Sequence, residues 1–157
     1  MKKIAIVLIL FATVVSCSPS LNYMKKEITN FELPHHPQKG KAIVYIIRPD
    51  LYAVFSRINV SIDDTKIGYT RIYQYIYANI TPGYHIITSQ PDNIINLYPE
   101  YTIARYKINA KSGDIIFIYQ KAIETRNNIV NSLNYANDTE GKYYLQKTKL
   151  GTLFIKE

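Results

Sequence analysis

From Ile72 to Ile80 the chain alternates in two-residue steps. Ile72, Ile76, Ala78 and Ile80 fall on one side, with Gln74 the exception among them, and Tyr73, Tyr75 and Tyr77 fall on the other. Side chains of a strand point to opposite faces in turn, so this pattern is that of a strand with one face on a core. Similar segments surround it. Ala42–Arg48 is a compact apolar run stopped by Pro49-Asp50. Asn59–Ile62 and Lys66–Tyr69 flank the turn Asp63-Asp64-Thr65, which predicts a hairpin. Pro82-Gly83 turns the chain into Tyr84–Ser89, and Ser112-Gly113-Asp114 separates Tyr101–Ala110 from Ile115–Tyr119. The nearly continuous apolar run Ile115–Tyr119 is expected to be the most buried strand.

Many short strands joined by Gly, Pro and Asp turns predict a mainly β fold, a small antiparallel β-sandwich or barrel-like domain. The connectors are expected at 51–58 and 91–99. Beyond Ala122 the pattern weakens. A short helix is expected around Ile129-Val130 and Leu133, a strand at Tyr143-Tyr144-Leu145, and a strand or helical turn over Leu150–Ile155. Fifteen tyrosines and no tryptophan reinforce the β reading, because aromatic and branched side chains pack well on a pleated surface.

The chain opens with Met1-Lys2-Lys3, followed by an unbroken apolar run from Ile4 to Ala12. A basic start, a short apolar run and small residues at its exit are the parts of a secretory signal, and the run is shorter than the roughly 20 residues that span a bilayer. Val14-Val15-Ser16-Cys17 resembles the bacterial lipobox, which implies cleavage between Ser16 and Cys17 and acylation of the Cys17 thiol and its new amino terminus. Cys17 is the only cysteine, so no disulfide can form within one chain. Residues 1–16 are therefore expected as a signal peptide and 17–39 as a lipidated N-terminus and flexible tether, broken by Pro19, Pro34 and Pro37, with Phe31 and Leu33 tacking its end to the domain. The domain itself is expected over 40–157. Ser18, rather than Asp, follows the cysteine, which favours the periplasmic face of the outer membrane in a Gram-negative host. Loss of Lys2 and Lys3 lowers the formal charge from +7 to +5. The remaining basic residues are scattered, which suits weak attraction to anionic lipid or glycan and not nucleic-acid binding.

Four fragments of the domain occur in an order that resembles the DUF2846 family, a domain of bacterial lipoproteins with no assigned function. They are Gly40–Pro49 with its ending Tyr45-Ile46-Ile47-Arg48-Pro49, the hairpin Val60–Gly68, the turn and strand Pro82-Gly83-Tyr84-His85-Ile86, and Ser112–Tyr119. The likeness covers about residues 40–120 and implies a small all-β envelope domain without implying a reaction. The family usually has Asp-Gly in the hairpin turn, where this chain has Asp63-Asp64. Asp tolerates positive φ less well than Gly, so the turn type is open.

His35-His36 is a weak metal candidate: a site needs three or four ligands, and adjacent histidines in an extended segment diverge. Solvated linker residues are the plainer reading, and no metal or other cofactor is expected. His85 would need a nucleophile and an orienting carboxylate to act in catalysis. No nucleophile-elbow motif is present and Cys17 is assigned to lipid, so His85, with Pro82 and Gly83, reads as part of a structural turn. Asp63, Asp64 and Asp114 each sit in a turn signal, where Asp bonds its own backbone. Tyr73, Tyr75 and Tyr77 form the candidate binding surface, as a shared outer face of rings for a sugar, peptide or protein; the alternative is that they pack beneath the tail that follows Ala122. The expected function is a non-catalytic structural or binding module of the envelope, with an envelope protein or glycan as partner. The alternatives are an envelope-polymer hydrolase using His85 with an aspartate, or a periplasmic inhibitor or immunity-type protein.

Overall fold

A computed structural model describes residues 19–54, 56–92, 100–126 and 128–154. The expected signal peptide 1–16 and Cys17 lie outside the described residues, as does most of the connector expected at 91–99. The described chain is mainly β, and its two sheets pack as a sandwich.

The strands are β1 (Ala42–Arg48), β2 (Arg57–Ile62), β3 (Thr65–Thr70), β4 (Gln74–Ile80), β5 (Gly83–Asp92), β6 (Glu100–Tyr101), β7 (Ala104–Ala110), β8 (Ile115–Glu124), β9 (Asn128–Ala136), β10 (Lys149–Leu150) and β11 (Thr152–Leu153). Two helices, α1 (Leu21–Glu27) and α2 (Asp138–Gln146), complete the elements. The first sheet has the order β10-β4-β1-β8-β9-β6 and the second β11-β3-β2-β5-β7. The second is antiparallel throughout. The first is mixed, which corrects the wholly antiparallel expectation: β1 runs antiparallel to β4 but parallel to β8, with Ile43 opposite Ile115. A parallel pair needs a long crossover, and here four of the second sheet's five strands, β2, β3, β5 and β7, lie within it.

Between the sheets lies the main core. Ala42, Val44 and Ile46 of β1 meet Val60 and Ile62 of β2, Ile87 of β5 and Ile118 of β8, each essentially without solvent contact. Each such Ile or Val contributes roughly 1.5–3 kcal/mol by leaving water. Ile76 and Ile80 of β4 point into this core, so the faces expected from the 72–80 alternation hold. Every residue of β1 is buried, because its other face is covered too. This makes β1, and not β8 as expected, the most buried strand: β8 begins and ends exposed.

The covering layer is where the fold departs most from expectation. On the outer face of the first sheet, Ile43, Tyr45, Ile47, Tyr75, Tyr77 and Phe117 pack beneath Leu145 of α2 and beneath Phe31 and Leu33. The stretch expected as a flexible tether thus contains a helix capped by Ser20 and then runs along the sheet. The His35 ring stacks on Tyr77 with centroids 3.8 Å apart, the Tyr45 hydroxyl donates to the His35 carbonyl at 2.5 Å, and the Gln38 N–H donates to Asn79 at 2.9 Å. A face carrying these six aromatic and branched side chains holds a segment of this length down once it supplies Phe31 and Leu33.

Beyond Ala122 two assignments exchange places. The expected helix near Ile129 is strand β9, paired antiparallel with β8. The expected strand at 143–145 lies inside α2, whose start is set by a capping box between Asn137 and Glu140. Gly141 lies against Phe117: a β-carbon there would stand 2.1 Å from the ring. After α2 the chain joins both sheets, β10 pairing with β4 and β11 with β3. This resolves the expectation for Leu150–Ile155 as strand for its described part.

Candidate functional site

The hairpin turn Asp63-Asp64 has two residues with positive φ, 47° and 65°. Two such residues make the turn that matches strand twist, normally with Gly in the second place. Its neighbour β5 holds it in shape. The Asp63 N–H donates to the Ile86 carbonyl at 3.0 Å, and the Ile86 N–H donates to Asp63 Oδ1 at 2.9 Å. The second oxygen, Asp63 Oδ2, stands 2.6 Å from His85 Nδ1.

His85 enters from the other side. Gly83, with φ 132°, lets the chain turn after Pro82 into β5, and places the ring so that Nε2 lies 2.8 Å from the Thr81 carbonyl. Both ring nitrogens therefore face acceptors, and both must carry hydrogen for both bonds to form, so the group the site suits is the imidazolium. The electrostatics agree. Burial works against the charged ring, but the bonds to Asp63 and Thr81 and the Asp63 charge outweigh it, and the His85 pKa is raised. The Asp63 pKa is lowered, first by the Ile86 N–H and then by His85. One ring thus fastens the β2–β3 turn of the second sheet to the β4–β5 turn that leads out of the first.

A surface cleft of about 440 Å³ opens beside the pair, lined by Asp63, Tyr84, His85, Ile86 and Lys107. Tyr84 is 84% exposed, and Ile86 lies beside it on the outer face of β5. Two cationic groups, a ring and an aliphatic side chain suit a ligand with an apolar body and anionic or hydroxyl-rich edges. The arrangement does not suit general-base catalysis. A base needs a free lone pair, and His85 has none while Thr81 and Asp63 hold it.

The structure brings together His85 and Asp63, and leaves the other candidates elsewhere. Asp64 is exposed at the hairpin tip. Asp114 accepts from the Lys111 N–H at 2.8 Å in its own turn. Tyr75 and Tyr77 are buried under residues 31–35 and α2, so they form no open ring surface, and only Tyr73, in the turn before β4, is substantially exposed. The tyrosines pack under a covering layer, as the alternative reading had it, although the N-terminal stretch supplies part of that layer. His35 is stacked on Tyr77 and His36 is exposed. Among the described residues no three of His, Cys, Asp and Glu gather as metal ligands would.

Two polar features escaped the sequence reading. Arg48, fully buried, donates to the carbonyls of Ser56, Tyr52 and Ala53 at 2.9, 2.8 and 2.8 Å. Burial brings its pKa down to about 10, against the opposing charge of Asp50. Its place in Tyr-x-x-Arg-Pro, directly after an all-apolar strand, was the available signal. Within the sandwich Thr70, Gln120, Ser89 and Asn131 form a buried network that crosses between the sheets: Thr70 donates to Gln120, which donates to Ser89 at 2.6 Å, and Asn131 donates to the same hydroxyl at 2.9 Å. No local pattern marks these four.

Among known protein families and curated proteins, none matches this chain. Among the described residues no helix is long and apolar enough to cross a membrane.

Proposed function

We propose that this chain is a bacterial envelope lipoprotein, anchored through Cys17, whose β-sandwich is a non-catalytic binding module resembling the DUF2846 domain. The observation that carries the non-catalytic reading is the commitment of both His85 nitrogens, to Asp63 and to Thr81. This is the pairing that a hydrolase would need free, and here it fastens two turns. Binding is supported by the cleft beside it, where Tyr84 and Ile86 are exposed next to Lys107. The anchor is supported by the basic start, the apolar run and Val14-Val15-Ser16-Cys17. An outer-membrane, periplasmic address follows from Ser18 if the host is Gram-negative.

A photo-crosslinking residue at Tyr84 in the full chain, expressed in its native cells, tests the binding reading. A discrete protein or glycan adduct is expected, weakened by Lys107→Glu; no adduct at Tyr84 above that at exposed Asn134 overturns it. The N-terminal peptide mass tests the anchor: acyl chains on Cys17 are expected, and loss of them in Cys17→Ser.

A specific observation favours a second reading, an inhibitor or immunity-type partner of another protein. β7 is the edge of the second sheet over seven residues, and such an edge accepts a partner strand. Arg105 and Lys107 on it guard against unspecific pairing. A crosslink from the β7 edge, in place of Tyr84, would select this reading.

A further inference from the structure

Between β1 and β2 the fold exposes three apolar side chains within four residues. Leu51 is 57% exposed, Tyr52 58% and Val54 45%. Water does not favour such a group, and a loop left to itself would fold these side chains inward. This one is held outward. Ala53, between them, is buried and left-handed at φ 53°, a conformation disfavoured for any residue with a β-carbon. The buried Arg48 guanidinium clamps the carbonyls of Tyr52 and Ala53 from beneath. The core thus spends a buried cation on presenting Leu51, Tyr52 and Val54 to the outside.

A continuous series of contacts joins the loop to α1. Tyr23 of α1 meets Tyr143 edge-on at 6.3 Å, Tyr143 meets Tyr144 at 5.6 Å, and Tyr144 stacks on Tyr119 at 5.4 Å. The Tyr119 hydroxyl then donates to Asp50 at 2.5 Å, the residue before Leu51. Tyr23 stands a few residues after Cys17. Leu21 and Tyr23 are themselves about half exposed, and Lys147 stands over the Tyr143 ring, 4.2 Å from its centroid. Exposed apolar tips that include a tyrosine, joined by packed rings to the segment that follows Cys17, suit a bilayer surface, with Tyr52 at the headgroup level.

We propose that the 49–54 loop is a second membrane contact, which dips Leu51, Tyr52 and Val54 into the bilayer that holds the lipid anchor and so fixes the orientation of the sandwich on it. The inference rests on the anchoring reading above. In the bound orientation the cleft at Asp63 and His85, at the opposite ends of β2 and β5 from this loop, faces away from the membrane.

The chain contains no tryptophan, so Y52W and Y84W each carry a single reporter. Full-length protein purified from membranes is placed in phosphatidylcholine–phosphatidylglycerol vesicles, with and without brominated acyl chains. The proposal expects blue-shifted Y52W emission, quenched several-fold more by bromolipid than that of Y84W, and loss of that quenching when L51D and V54D are added. Equal quenching at both positions, or none at Y52W, overturns it. So does protection of Y52W from an aqueous quencher in native membranes but not in vesicles, which would assign the loop to a protein partner. The N-terminal peptide mass, read on the same sample, decides the anchor separately: acylated Cys17 without quenching at Y52W removes the loop contact alone, and unmodified Cys17 removes the anchor whatever the loop does.

Discussion

The carboxylate of Asp63, in the β2–β3 turn, and the imidazole of His85, on β5, meet at 2.6 Å; the ring reaches on to the Thr81 carbonyl of the β4–β5 turn, and the carboxylate accepts from the Ile86 N–H of β5. The pair therefore joins two sheets through two turns, and its protonation state bears on stability.

The sign follows from the two shifts. The His85 pKa is raised in the fold, so its contribution is complete below its unfolded value near 6.5 and is lost as pH rises through the folded value. The Asp63 pKa is lowered, so its contribution is complete above its unfolded value near 3.8 and is lost as pH falls through the folded value. Thermal unfolding followed by circular dichroism should show the pair's stabilisation at a plateau between these limits and a fall in Tm above it. His85→Gln should flatten that alkaline limb and lower stability on the plateau by about 1 kcal/mol, the scale of a lost partly exposed hydrogen bond. An alkaline limb unchanged in His85→Gln would refute the assignment.

Arg48→Met should destabilise by about 3 kcal/mol, because the carbonyls of Ser56, Tyr52 and Ala53 lose their donors in a buried place. Arg48→Lys should recover only part, since an ammonium lacks the planar fork. Urea denaturation gives the energies, and limited proteolysis should cut first near Leu51–Val54 in both variants.

Alanine in place of glycine within an exposed helix ordinarily stabilises by up to about 1 kcal/mol. At Gly141 the sign should reverse, because the new β-carbon would stand 2.1 Å from Cγ of Phe117. Gly141→Ala is expected to cost about 2 kcal/mol by overpacking, and Phe117→Leu in the same chain to recover some of it. Chemical denaturation of the two single variants and the double variant measures the coupling.

Gln120→Leu should cost about 2 kcal/mol, since the Thr70 hydroxyl would be left in the core without its partner, whereas Ser89 keeps Asn131. Adding Thr70→Val should bring stability back toward the original value, since unpaired groups, not lost bonds, carry most of the penalty. A double variant less stable than Gln120→Leu alone in urea denaturation would contradict this.

The sequence reading reached the sandwich because strand alternation is local. Ile76, Ala78 and Ile80 face the core as their spacing predicted, and the β2–β3 hairpin falls on its turn. It could not show that the opposite face, with Tyr75 and Tyr77, would also be covered. That depends on Phe31 and Leu33, which are distant in sequence and surrounded by polar residues. The helix α2 is legible only in part: Asn137-Asp138-Thr139-Glu140 carries a capping box, whereas Tyr143-Tyr144 favours strand by local propensity, and the packing of Tyr144 and Leu145 on the sheet goes with the helix. The His85 site was half legible. Its turn marks it, whereas the meeting with Asp63 requires the register of β2 on β5, which no single segment specifies.

The parallel seam between β1 and β8 also governs timing. The most buried strand finds one of its two neighbours only once Ile115–Tyr119 exist, more than sixty residues later in synthesis. Closing so long a loop makes folding slow, since its entropy is spent before the contact returns anything. Such a chain leaves the ribosome with its centre still unpaired. Under the proposed export that delay serves the chain, because a lipoprotein is carried across a membrane as an open chain before its sheets close.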